Sequence, residues 1–189
     1  MPPERAVGRR QEDGLKSMQR WNRSQTIGLA KTSCTACEGL GIRPLRKGKE
    51  APCNCVFRAV FRACYRRFRE CVANGEHAST VSLEFCRGRG GRRVYSRKRE
   101  EYMADFCLVS RRVLAEPDYT VFRFHFLLGA DWRLCCRRLN MDRGNFFHAV
   151  YRIEKQLGRC FAELKPYALY PVDEYFHGTI HPEPLPLSA

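Results

Sequence analysis

The chain has 189 residues, 34 of them Lys or Arg and 20 Asp or Glu, for a formal net charge of +14. Hydrophobic residues make up 44% of it, with 12 Phe and 8 Tyr, so a packed core can form and a wholly disordered basic protein is excluded. Charge of this size calls for a polyanionic partner, nucleic acid ahead of an anionic membrane surface. No run approaches the roughly 20 apolar residues of a bilayer span, and the most apolar window, 121–130, is interrupted by Arg123 and His125.

Residues 1–10 contain no apolar run, so no secretory signal is expected. The 11 cysteines, an odd number, argue against a closed disulfide framework. A reducing, cytoplasmic setting is expected, in which cysteines serve as metal ligands or small core residues. Residues 1–30 read as a flexible basic arm, punctuated by Pro2, Pro3, Gly8 and Gly14 and charged by Arg5, Arg9, Arg10, Lys16, Arg20 and Arg23.

A second unit, 31–75, joins a cysteine-rich segment to a helix. Cys34-x-x-Cys37 and Cys53-x-Cys55 are two close pairs of thiols separated by a long polar loop. A structural zinc ion takes four ligands in a tetrahedron, and a small loop-rich segment needs the metal to hold its shape. These four cysteines are therefore the expected zinc ligands. From 56 to 73, Phe57, Val60, Phe61, Cys64, Tyr65, Phe68, Cys71 and Val72 form one helical stripe. Arg58, Arg62, Arg66 and Arg69 fall on other faces, and Asn74-Gly75 is the expected stop.

Residues 76–96 read as a strand and basic loop. Val81, Leu83 and Phe85 alternate with polar residues, and the run from Arg87 to Arg99 has seven basic residues and no acidic one. A long helix is expected at 97–115. After Pro117, residues 118–128 fit either helix or alternation. Helix is preferred, because a helix, then Gly129, then an Asp-capped helix is the expected entry to a helix-turn-helix.

The stretch DWRLCCRRLNMDRGNFFHAVYRIEKQL, residues 131–157, has the layout of that motif. Asp131 caps a short helix, Asn140, Met141 and Asp142 form the turn, and Asp142 caps a second helix that begins at Arg143 and is stopped by Pro166. The exposed positions near the start of that helix are Arg143, Asn145 and His148, types that can reach base edges in a major groove. Phe146 and Phe147 are adjacent and cannot both point inward. The unit spans 97–166, and 167–189 is expected to be an extended tail that packs Tyr170, Tyr175 and Phe176 back on the body.

Residues 118–164 resemble region 4 of sigma-70-type factors. The likeness rests on Phe122 and Phe126, then Leu134 and Leu139, Met141 in the turn, and Phe146, Val150 and Ile153 on the last helix. The resemblance implies that Arg143, Asn145, His148 and Arg152 face the major groove, Arg143 suiting guanine and Asn145 adenine, and that Arg133, Arg137 and Arg138 lie near phosphates. That family commonly has glycine in the turn where this chain has Asn140, and an acidic residue where it has Arg133 or Leu134. The segment 33–55 resembles the CxxCxGxG knuckle of zinc ribbons, of some chaperones and of lambdoid late-gene antiterminators. Together the two resemblances imply a phage or prophage type of transcription regulator.

The remaining cysteines, Cys64, Cys71, Cys107, Cys135, Cys136 and Cys160, lie within helices and are expected in the core, while Cys86 has no place in the pattern. No Walker loop, HExxH or GxSxG is present. A zinc deaminase would need His-x-Glu ahead of PCxxC, whereas here Glu76-His77 has the wrong order and comes after Pro52-Cys53-Asn54-Cys55. No enzyme activity and no small-molecule substrate are expected. The expected fold is mainly α: a zinc knuckle, then a helical domain ending in a helix-turn-helix, with one short strand or hairpin near 80–95. The expected partner is double-stranded DNA. The alternative is an RNA- or RNA-polymerase-binding adaptor of the antiterminator kind, in which the knuckle and the Arg-Gly loop bind and the helix pair is structural. An interaction protein whose Phe-rich helices dock a partner is the third reading.

Overall fold

A computed structural model describes residues 21, 23–45, 49–81, 91–165 and 167–177. It is mainly helical, with one two-stranded antiparallel hairpin. In chain order the elements are α1 (Arg23–Leu29), β1 (Ile42–Pro44), β2 (Glu50–Pro52), α2 (Asn54–Val81), α3 (Gly91–Val113), α4 (Glu116–Phe122), a π-helical turn (Arg123–Leu127), α5 (Trp132–Leu139), α6 (Arg143–Glu163) and α7 (Val172–His177). No helix among the described residues is long and apolar enough to cross a membrane.

Helices α2 and α6 form the central pair, and α3, α4 and α7 lie against them. The apolar stripe of α2 supplies Val60, Phe61, Cys64, Phe68 and Cys71, and α6 supplies Phe146, Ala149, Ile153, Leu157 and Phe161, all buried. Rings dominate the interior. Phe61 meets Phe126 edge-on at 5.0 Å, Phe68 stacks on Phe106 at 4.5 Å, and Phe106 lies 5.1 Å from Phe161. Such offset and edge-to-face contacts add about 1 kcal/mol each beyond area burial. The polar tips of buried tyrosines find carbonyls: Tyr102 Oη donates to the Cys64 carbonyl at 3.2 Å and Tyr65 Oη to that of Phe126 at 3.0 Å.

Two features fix the α2–α6 crossing. Gly158 leaves α6 without a side chain where the Phe57 backbone crosses it; a Cβ there would lie 1.8 Å from the Phe57 carbonyl oxygen. Four residues earlier, the buried Glu154 carboxylate accepts from Arg58 Nε at 2.5 Å and Arg62 Nε at 3.1 Å. A carboxylate removed from water needs such partners, and here both come from one face of α2.

Several boundaries depart from the sequence expectation. Helix α2 continues through Asn74 and Gly75 to Val81: a glycine inside a helix costs only about 1 kcal/mol relative to alanine, too little to end a long one. Helix α3 starts at Gly91, so 91–96 of the expected basic loop is helical, in keeping with the good helix propensity of arginine. The remainder of that loop, and most of the strand expected near 80–95, lie outside the described residues. The two strands among the described residues sit between the cysteine pairs, with Ile42 opposite Pro52 and Pro44 opposite Glu50. Within the expected basic arm, 23–29 forms α1 and buries Thr26; residues 1–20 lie outside the described residues.

The segment 118–128 is helical, α4 running into the π turn, in which the Leu128 amide reaches the Arg123 carbonyl at 3.0 Å. After α6 the chain turns back. The Leu169 and Tyr170 amides donate to the Phe161 carbonyl at 2.9 and 3.2 Å, satisfying an orphan acceptor of the last turn. Within the tail expected to be extended, Val172–His177 forms α7, and residues 178–189 lie outside the described residues. Helix α7 buries Phe176, with Arg67 over its ring at 4.1 Å, and Tyr175 Oη donates to Asp105 at 2.8 Å.

Candidate metal centre and nucleic-acid interface

The first cysteine pair lies in a tight turn. The Glu38 amide donates to the Cys34 carbonyl at 2.8 Å and the Leu40 amide to that of Cys37 at 2.8 Å. The chain then passes through positive φ at Glu38, Gly39 and Gly41. At Gly41 a side chain is excluded twice over, by the φ of +74° and by the Thr26 carbonyl oxygen of α1, 2.3 Å from where a Cβ would be. The second pair straddles the end of β2 and the start of α2. Cys53 just precedes the helix, its carbonyl accepting from the Val56 amide at 3.0 Å, and Cys55 is in the first turn. This change of backbone direction lets a spacing of one residue bring both sulfurs to the same place.

The Sγ atoms of Cys34, Cys37, Cys53 and Cys55 lie within 4.8 Å of one another, a cluster that could hold a metal ion. Cys34 Sγ is 3.8 Å from Cys53 Sγ, and Cys37 Sγ is 3.6 Å from Cys55 Sγ, contacts too long for a disulfide. The four do not share one electrostatic setting. The Ala36 backbone amide holds the Cys34 thiol down to about 7, whereas burial pushes Cys55 up to about 12 and Cys53 up as well. A bound cation would favour the thiolate at all four.

At the other end of α6, the short helix α5 and α6 are joined by three residues, 140–142. Asp131 accepts from the Leu134 amide at 2.7 Å and Asp142 from the Asn145 amide at 2.9 Å, so both helices start on a carboxylate cap. The Asn145 amide holds the Asp142 carboxyl below the usual carboxylate range. Asn140 closes α5 in the left-handed region at φ 48°, a conformation that asparagine tolerates better than most residues. It fills the role that glycine more often has in such turns.

The residues expected to contact nucleic acid differ in what they touch. Arg143 is exposed and lies over two rings, 5.2 Å from the Trp132 centroid and 5.7 Å from that of Phe147. Arg133 lies over the Trp132 ring at 5.3 Å. Arg137 and Arg138 are exposed in the last turn of α5, where cations complement the helix dipole. Among the described residues none of these four arginines has an ion-pair partner. His148 is exposed, beside the groove between the start of α4 and the turn. The other two are engaged within the protein. The Asn145 side-chain amide donates to Asp142, and Arg152 forms a two-point pair with Asp118 of α4, Nε to Oδ2 at 2.6 Å.

Of the adjacent rings, Phe146 is buried and Phe147 is 46% exposed. Tyr151, one turn further on, is 40% exposed with Arg58 over its ring at 4.4 Å. Sequence periodicity does not single out Phe147 and Tyr151 as exposed residues. The one available signal is the Phe146–Phe147 adjacency. Glu154 and Asp118 carry no signal, because their arginine partners are distant in sequence.

No family model, no curated protein and no solved structure matches the chain.

Proposed function

We propose that this protein is a sequence-preferring, duplex-DNA-binding protein, a transcription regulator of the phage or prophage type. In this reading α4 to α6 serve as a helix-turn-helix like that of sigma region 4, and Cys34, Cys37, Cys53 and Cys55 hold structural zinc. One observation carries the reading: a capped helix pair with a three-residue turn presents Arg143 at the start of its second helix, flanked by Arg133, Arg137 and Arg138, all exposed and free of carboxylate partners among the described residues. Unpaired arginines on α5 suit phosphates, and arginine at the start of the second helix suits guanine in a major groove. Zinc is supported by the sulfur spacing. Zn–S bonds of about 2.3 Å in a tetrahedron put sulfurs about 3.8 Å apart, against 3.8 and 3.6 Å here.

Binding to a duplex library across a range of salt concentrations, for the wild type and Arg143→Ala, tests the reading. Arg143 is the residue to change because Asn145 also braces the α6 cap. The variant is expected to lose discrimination among sequences while its salt slope falls by only about one. Equal selectivity in the two proteins, with affinity set by salt alone, would make the helix pair structural and move the proposal to RNA or RNA polymerase.

A further inference from the structure

We infer that α6 recognises thymine, through contact of Phe147 and Tyr151 with its C5-methyl group in the major groove. This rests on the duplex-DNA reading above and says what that surface selects. The first support is the supply of hydrogen-bonding groups. Of the four polar residues facing outward from the front of α6, the Asn145 amide is held by Asp142 and Arg152 by Asp118. Arg143 and His148 remain. Arg143 is in line with two half-exposed rings, Phe147 and Tyr151, four and eight residues on.

The second support is geometry. Arg143, Phe147 and Tyr151 are spaced four residues apart and form one row along α6. The row is about 12 Å long at 1.5 Å per residue, comparable with the roughly 12 Å width of the B-form major groove. Charge points to the class of occupant: Arg143 lies over Phe147, and Arg133 lies over the neighbouring Trp132, neither with an ion-pair partner among the described residues, which disfavours a purely apolar protein partner and favours a polyanion. Among the four bases only thymine offers an apolar group in that groove.

Stacking of unpaired bases is less well served. Arg58 lies over Tyr151 at 4.4 Å and Arg143 over Phe147 at 5.7 Å, so one face of each ring already has a cation against it. Helical RNA lacks the methyl group and has a major groove too deep and narrow for side chains to read.

The test uses the full chain loaded with metal. A duplex sequence is first enriched from a random library, and each thymine is then replaced by deoxyuridine, which removes only the methyl. Loss of one buried methyl contact is worth about four-fold in affinity. At one or two positions the wild type should bind the deoxyuridine duplex about four-fold more weakly, and Phe147→Ala or Tyr151→Ala should bind thymine and deoxyuridine alike at the position each residue contacts. Both side chains are half-exposed, so the variants should keep the wild-type melting temperature to within a few degrees. Undiminished binding with deoxyuridine at every position, or discrimination that survives both alanine variants, overturns thymine reading while leaving duplex recognition intact. Tighter binding to the single strand than to the duplex overturns it in favour of base stacking. Failure to enrich any sequence overturns the duplex reading and this inference together.

Discussion

Gly158 shows how a single atom governs the position of the two main helices. With no Cβ, α6 reaches the Phe57 backbone of α2. The same closeness sets Glu154 against Arg58 and Arg62, and Arg58 against Tyr151. Gly158→Ala would force a carbon against a carbonyl oxygen that belongs to a helix and cannot swing aside. The gain in helix propensity, about 1 kcal/mol, is smaller than the cost of overpacking, up to about 3 kcal/mol. We expect a net loss of about 2 kcal/mol on chemical denaturation, despite a substitution that stabilises most helices. A variant as stable as the wild type would show that the helices can part without penalty. Such a residue is invisible in the sequence, where Gly158 reads as a weak point in a helix rather than as the site of a crossing.

At the scale of elements, local chemistry was legible and long-range chemistry was not. The start of α5 at Asp131 and of α6 at Asp142 could be read because a cap is made by a residue with its own neighbours. The cysteine pairs were legible for the same reason: two thiols within four residues can already share an ion. The hairpin between them was not, since strands of three residues, Ile42–Pro44 and Glu50–Pro52, carry too little alternation to register. Nor was α1, which depends on burying Thr26 against Gly41 rather than on a stripe of its own. The end of α2 was misplaced because Asn74-Gly75 stops a helix only when the chain has reason to leave it. In the zinc-bound reading proposed above, the cysteine segment would rest on the four sulfurs and their metal, whereas the helices rest on a ring-filled core. Chelation of that metal should then free the amides of 34–45 and 49–53 to exchange with solvent while those of α2 and α6 remain protected. Hydrogen exchange before and after chelation checks this, and simultaneous loss of protection in both regions would show a single cooperative unit. Knuckles of this size have no sufficient core of their own.

For the whole molecule, burial has a consequence at high pH. Burial raises the thiols of Cys64, Cys71, Cys107 and Cys160, that of Cys64 to about 12, and also raises the phenols of Tyr65 and Tyr170. Each is an acid whose neutral form the fold prefers. The folded chain thus holds these protons more tightly than the unfolded chain, and the associated stability is complete below the ordinary thiol range. It is lost as pH climbs from about 8.5, where unfolded thiols ionise, towards the folded values. Melting temperature should fall progressively between about pH 8.5 and 11, and Cys64→Ala should flatten the decline even though it lowers stability at neutral pH. A flat profile over that range would mean that the thiols reach water in the native state.

The guanidinium of Arg143, lying over Trp132 and Phe147, has one more implication. A free arginine side chain has about 2 kcal/mol of rotamer entropy to lose when it is fixed. Here much of that disorder is removed when the protein folds, before any anion arrives. In the proposed DNA-binding reading, Trp132 would thereby influence how tightly DNA is held without touching it, by narrowing in advance the range of directions from which a positive charge can be offered.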